Sequence, residues 1–207
     1  MTDEKRTVYD YEVHFAMHVG PREVLLLLDP ASEETPYMVG YCDIMPGLGA
    51  EQLNEVVGGD DYLEAVEEFL HRVQGQVAQV RVDREQSQEP QEVFGATHCL
   101  PDGMKYSLES KVVILKPETL RHEYCNVANQ LLYVTGGNGA FPDGHGTAVF
   151  GRNVFSGEDR SYRRHQVLGV LDPTHAPAWV RPGVCKIIEQ KKSQTLRKPK
   201  PDSREDR

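Results

Sequence analysis

The sequence predicts an α+β protein: an antiparallel three-stranded sheet with one helix, followed by a β-rich meander unit. Three observations predict this class. Residues 9–19 alternate apolar and polar side chains with period two, the mark of a strand with one buried face. Residues 62–77 repeat apolar side chains at helical spacing. Residues 131–171 alternate strand-like runs with glycine-rich turns. A chain of 207 residues, 39% hydrophobic and 27% charged, suffices for one sizeable core or two small ones.

Residues 1–6 are charged and are expected to be disordered. In the first strand Tyr9, Tyr11, Val13, Phe15, Met17 and Val19 alternate with Asp10, Glu12, His14, Ala16 and His18. Asp10, Glu12, His14 and His18 can each bind metal. A row on one strand is not a coordination sphere, so the reading is a solvated face, and neither metal nor cofactor is expected. Gly20-Pro21-Arg22 is a turn. Residues 23–29 hold the run from Val24 to Leu28, which suits a central strand covered on both faces. Pro30 ends it, and 37–45 form a third strand before a Pro46-Gly47-Leu48-Gly49 turn. Asp61 then opens a helix, with Glu64 at the spacing of a capping box. Tyr62, Val66, Phe69, Leu70, Val73 and Val77 form its apolar stripe, and Gly75 weakens it. These elements make an acidic α+β unit over 7–82. The polar, aperiodic segment 83–92, with Pro90, is the linker.

The second unit spans 93–183. Residues 94–104 are loop-rich, 111–116 form a short strand and 117–125 one or two helical turns. His122 and Cys125 sit three apart there, with no second pair to complete a metal site. A strand over 131–135 leads into a loop of Gly136, Gly137, Asn138 and Gly139, continuing through Asp143 and His145. The loop lacks the lysine of a phosphate-binding Walker loop. Pro142 occupies the last glycine position of a dinucleotide fingerprint. It therefore reads as an exposed connection. Strands over 147–155 and 160–171, joined by a turn at 156–159, complete the meander.

The last of these strands is the most distinctive. Alternation sets Arg160, Tyr162, Arg164 and Gln166 on one face and Ser161, Arg163, His165 and Val167 on the other. Arg152 on the preceding strand is a candidate cross-strand neighbour. Guanidiniums beside an aromatic suit phosphate contact and base stacking, and equally a protein interface. The plain alternative is a charged, solvated edge strand. Trp179 falls in a turn or short helix over 172–180 and is expected to pack back on the meander. The segment 190–207 reads as a disordered charged tail.

Charge is unevenly divided. Residues 1–100 carry 6 Lys+Arg against 20 Asp+Glu, a balance of −14, and 101–207 carry 17 against 12, a balance of +5. This balance argues against non-specific DNA binding by the N-terminal half, because phosphate contacts need cations. No C-x-x-C pair links Cys42, Cys99, Cys125 and Cys185, so reduced structural thiols are expected. No apolar run reaches transmembrane length, and the charged start lacks a signal core, so a cytoplasmic protein without membrane partners is expected.

The string from Leu131 to Pro173, followed by Pro177-Ala178-Trp179-Val180, resembles an uncharacterised family of accessory proteins carried by bacterial plasmids and integrative conjugative elements. The shared features are Gly136 to Gly139, Ala148 to Phe150, Gly157-Glu158, Arg160 to His165 and Pro177 to Trp179, and the likeness covers about 111–181. It implies a genomic setting and carries no catalytic residues. The leading expectation is a non-enzymatic binding protein that contacts a host or element-encoded protein, such as an inhibitor of a host defence nuclease. The alternative is a nucleic-acid-binding accessory of conjugation or replication, working through the basic C-terminal half. A third reading, a cryptic enzyme using Asp143, His145 and His165 as acid/base groups, has no nucleophile or metal set to support it.

Overall fold

A five-stranded antiparallel meander forms the first sheet: β1 (Thr7–Val8), β2 (Tyr11–Val19), β3 (Arg22–Leu28), β4 (Tyr37–Ile44) and β5 (Glu51–Gly59), in chain order across the sheet. This computed structural model describes the backbone of residues 5–44 and 51–197, with side chains except at 44 and 194–197. Of the disorder expected over 1–6, residues 1–4 lie outside the described residues, as do the turn expected at 46–49 and the tail beyond 197. Lys5 and Arg6 are instead held by ion pairs to Glu12, Glu23 and Glu51 and by the Val13 amide on the Arg6 carbonyl. The chain divides into two units, one up to Gln88 and one from Glu89.

The α+β class is present, with five strands in the first sheet where the sequence pattern marks three. β5 escapes detection because Glu51, Gln52, Asn54 and Glu55 are polar and Gly58-Gly59 ends it. Its pairing with β4 also shifts register between Val39 and Tyr41, where Glu55 adopts φ 53°, so no clean alternation survives. β3 is central. Val24 and Leu26 pack with Val39 and Phe69 on one face, and Leu25 and Leu27 with Val8 and Cys42 on the other. The expected row of metal-capable side chains is broken. Tyr9 and Asp10 form a turn, and a register shift between Val13 and Phe15 interrupts the alternation of β2 at His14.

A helix, α1 (Tyr62–Ser87), covers this sheet. The Asp61 carboxylate caps it, accepting from the Leu63 and Glu64 amides at 2.7 and 3.0 Å. The buried stripe is narrower than the sequence predicts. Phe69 is buried, whereas Leu70 is half exposed and Tyr62 is partly exposed at the edge of the sheet, against His14 and Tyr37. Arg72 is buried instead. It ion-pairs with Glu68 at 2.6 Å, donates to the Glu55 carbonyl and lies over the Tyr41 ring, so it pins the bulge of β5. The helix also runs through Ser87, into the predicted linker. It ends at Gln88, which takes the left-handed conformation at φ 51° shortly before Pro90.

The second unit contains β6 (Val112–Leu115), the short α2 (Val127–Gln130), β7 (Leu131–Gly136), β8 (Ala148–Asn153), β9 (Asp159–Arg163), β10 (Val167–Val170) and α3 (Val180–Arg197). Its antiparallel sheet has the order β10-β6-β7-β8-β9. The expected single strand over 160–171 is thus two strands at opposite edges. A 3-10 turn, Arg164–Gln166, separates them. A three-residue link between opposite edges requires the sheet to curl into a partly open barrel. Leu115, Leu132, Val134, Val149, Val167 and Val170 fill its inside, with Tyr162 against them. Ile114, Leu131 and Val154 face outward and are covered by Val180, Val184 and Trp179.

The sequence also places disorder from 190, whereas α3 continues to Arg197. Val180, Val184 and Ile187 anchor that helix at three- and four-residue spacing, and its charged remainder is ordered with it. No helix among the described residues is long and apolar enough to cross a membrane.

Candidate functional site

The glycine loop between β7 and β8 folds onto itself. The amides of Ala140, Phe141 and Gly144 donate to the carbonyls of Gly137, Asn138 and Phe141. A Cβ on Gly137, Gly139 or Gly144 would lie 2.3, 2.2 and 2.0 Å from the carbonyl oxygens of Ala148, Thr147 and Asn138. These three glycines therefore serve close backbone packing, and the amides of Ala140, Phe141 and Gly144 are spent within the loop. Gly136 and Gly137 also adopt positive φ, 155° and 105°. Asn138, Asp143 and His145 are exposed at its surface.

Most of the arginines offered by the sequence are committed to their own chain. Arg164 donates to the Gly139 carbonyl at 2.7 Å and the Met104 carbonyl at 2.6 Å, clamping the glycine loop. Arg152 bonds Asp159 at 2.7 Å and the Gln190 amide oxygen at 2.9 Å. Arg160 pairs with Glu158. Tyr162 packs against the barrel core, and burial raises its phenol pKa against a smaller opposing pull from Arg160. Arg163 and His165 alone of this set are exposed without a described side-chain partner. Because β9 ends at Arg163, Arg164 and Gln166 leave the face that strict alternation assigns them. The Gln166 side-chain oxygen turns back to accept from the Arg163 amide at 2.7 Å.

The outward face of β8 and β9 carries Ala148 opposite Arg163, Phe150 opposite Ser161 and Arg152 opposite Asp159. Phe150 is 50% exposed. No family model, curated protein or solved structure matches this chain. Beside the outward face lies a cleft of about 370 Å³ between the β8–β9 turn and α3, lined by Phe155, Trp179, Lys186 and Gln190 among others. Trp179 packs edge-on against Phe155 at 5.3 Å, so the tryptophan does turn back on the meander while lining the cleft.

Asp143, His145 and His165 are each exposed, and no described contact joins them. His122 is exposed, and the Cys125 thiol points to the Pro117 carbonyl at 3.9 Å. Among the described residues no group of three or more His, Cys, Asp and Glu side chains is arranged to hold a metal.

The first unit has a different electrostatic character. Lys5 pairs with Glu12, Arg6 with Glu23 and Glu51, Arg22 with Glu55 and Arg72 with Glu68, at 2.6 to 2.8 Å. The hydrogen bond to Glu23 holds the Arg6 guanidinium well above its ordinary range, against a smaller cost of burial. Those cations are neutralised at home. Asp60, Glu64 and Glu67, at the start of α1, are exposed and have no cation partner among the described residues. Of these, Glu64 lies in the first turn, where the helix dipole favours a carboxylate. Sequence reasoning does not single out this trio, although its spacing is visible. It assigns Gln166 to the face of Arg160 and Arg164, and misses its turn back to the Arg163 amide, because that role depends on where β9 ends.

Proposed function

We propose that this chain is a non-enzymatic binding protein that acts by protein–protein contact, with the exposed carboxylates at the start of α1 engaging a basic surface on its partner. The observation that carries this reading is the internal commitment of the arginines. Arg152, Arg160 and Arg164 are bonded to their own chain, leaving Arg163 free, while Asp60, Glu64 and Glu67 stay uncompensated among the described residues. A cationic channel built for nucleic acid is one surface such a trio complements. The likeness of 111–181 to proteins of plasmids and conjugative elements supplies a setting, in which the partner is a host or element-encoded protein and inhibition of a defence nuclease is one form of the activity.

A second reading rests on a specific feature. Phe150 and Arg163 share the open face of β8 and β9, a pairing that suits base stacking beside a phosphate. It would make the chain a nucleic-acid-binding accessory. The test of the first reading is affinity capture from nuclease-treated bacterial lysate with the wild-type chain and with Asp60→Lys/Glu64→Lys/Glu67→Lys. Proteins retained by the wild type and released by the charge-reversed chain support it. Equal retention by both chains contradicts it.

A further inference from the structure

The two edges of the second sheet are treated differently by the fold. Beyond β10, residues 98–100 cover the edge. The Leu100 amide donates to the Val170 carbonyl at 2.8 Å, the Asp172 amide to the His98 carbonyl at 2.9 Å, and Cys99 bridges Leu171. β9 has no such cover among the described residues, and Asp159, Arg160, Ser161 and Arg163 are all exposed. The direction of its backbone groups is fixed by two bonds. The Arg164 amide donates to Thr147 at 2.7 Å, and the Glu158 carbonyl accepts from Asn153 at 2.9 Å. Backbone groups alternate along a strand, so Arg160 and Tyr162 also point to β8. Asp159, Ser161 and Arg163 point away from it. The Gln166 side chain meets the Arg163 amide from that side, which fits the same parity. Ser161 is left at the centre of the open edge with its N–H and C=O directed outward.

We infer that β9 is a self-complementary edge through which two copies of this chain pair antiparallel about a two-fold axis at Ser161. The strand reads Asp-Arg-Ser-Tyr-Arg over five residues. Folded about its centre, it sets Ser161 against Ser161, Asp159 against Arg163 and Arg160 against Tyr162 of the second copy. The two outer pairs join opposite charges on the outward face. The inner pairs place a guanidinium beside an aromatic ring. Both are favourable cross-strand combinations, and an isologous contact makes each of them twice. Ser161 exchanges two backbone bonds, and the Asp159 amide reaches the Arg163 carbonyl without disturbing the Gln166 cap. Asp159 already bonds Arg152, and a carboxylate accepts from several donors. An edge of this length is a small interface, so the dimer is weak and depends on concentration. This inference does not rest on the proposed acidic contact, although a dimer would present two acidic units to one partner.

Sedimentation velocity on the full chain, from low micromolar to near-millimolar protein, tests it. The wild type moves from monomer toward dimer with concentration. Arg163→Asp sets two carboxylates against each other in both outer pairs, and Asp159→Lys sets two cations against each other there. Each variant alone therefore weakens self-association by about tenfold or more. An equimolar mixture restores it. In that heterodimer one outer pair keeps Asp159 against Arg163, and the other joins the introduced lysine to the introduced aspartate. Ser161→Pro, which removes the outward N–H and leaves the β8 ladder alone, abolishes the dimer. A wild type that stays monomeric throughout overturns the inference. So does a dimer that survives Arg163→Asp and Ser161→Pro, or a mixture of folded variants that does not associate.

Discussion

Gln130 joins two distant segments in the core of the second unit, and replacing it gives a quantitative test of that core. The side chain is fully buried. Its oxygen accepts from the Phe94 amide at 2.7 Å, and its nitrogen donates to the carbonyls of Phe94 and Leu115 at 2.9 and 3.0 Å. It therefore ties the segment entering the unit to the end of β6. Gln130→Leu keeps most of the volume and removes all three bonds. Each buried backbone group left without a partner costs about 1–3 kcal/mol. Water entry and the better burial of leucine offset part of that, leaving about 3–5 kcal/mol. Gln130→Glu retains the acceptor but loses both donations and buries a carboxylate. Burial raises such a group's pKa in the folded state, so this variant should recover relative to wild type as pH falls. Urea unfolding followed by Trp179 fluorescence reads the effect, since the chain's single tryptophan packs in this unit. A cost below about 1 kcal/mol for Gln130→Leu would refute the assigned bonds.

Arg164→Ala should destabilise the second unit by about 2–4 kcal/mol through loss of two charge-assisted bonds to carbonyls. Arg163→Ala should stay within about 0.5 kcal/mol, and chemical denaturation distinguishes the two. Gly137→Ala forces a Cβ onto the Ala148 carbonyl at positive φ and should destabilise measurably, while Gly75→Ala, on a helix with open space around it, should raise stability by about 0.4–1 kcal/mol; thermal melts of both variants check the contrast. The Asp172 carboxyl is held below its usual range mainly by the Thr174 amide and next by the Thr174 hydroxyl. Its stabilisation is present above the ordinary carboxylate range and is lost as pH falls through the lowered pKa. Asp172→Asn should therefore narrow its gap to wild type in acid-unfolding titrations.

The sequence carries the elements whose side chains decide them locally. The run from Val24 to Leu28 marks β3, the alternation after Tyr11 marks β2, and Asp61 marks the start of α1. What escapes it depends on partners distant in the chain. β5 is polar along much of its length, and only its pairing with β4 makes it a strand. The chain turns at Arg164 because that guanidinium reaches Gly139 and Met104, residues 25 and 60 positions away. No local pattern reports such a contact. The same holds for the site. Alternation assigns Arg160 and Arg164 to one face and Arg163 to the other, whereas an ion pair engages Arg160, carbonyl bonds engage Arg164, and Arg163 alone has no described side-chain partner. Arg72 is a further instance, since a lone arginine on a helix reads as solvated until the bulge it pins is known.

The central claim is that Arg152, Arg160 and Arg164 are committed to their own chain and that the proposed partner contact is made to protein rather than nucleic acid. Fluorescence anisotropy of labelled single- and double-stranded DNA and RNA, titrated with the full chain at low ionic strength, tests it most directly. The account predicts no saturable binding to any of them, and no difference between the wild type and Arg163→Ala. Saturable binding that weakens steeply with added salt, with a shallower salt slope for Arg163→Ala, would contradict it.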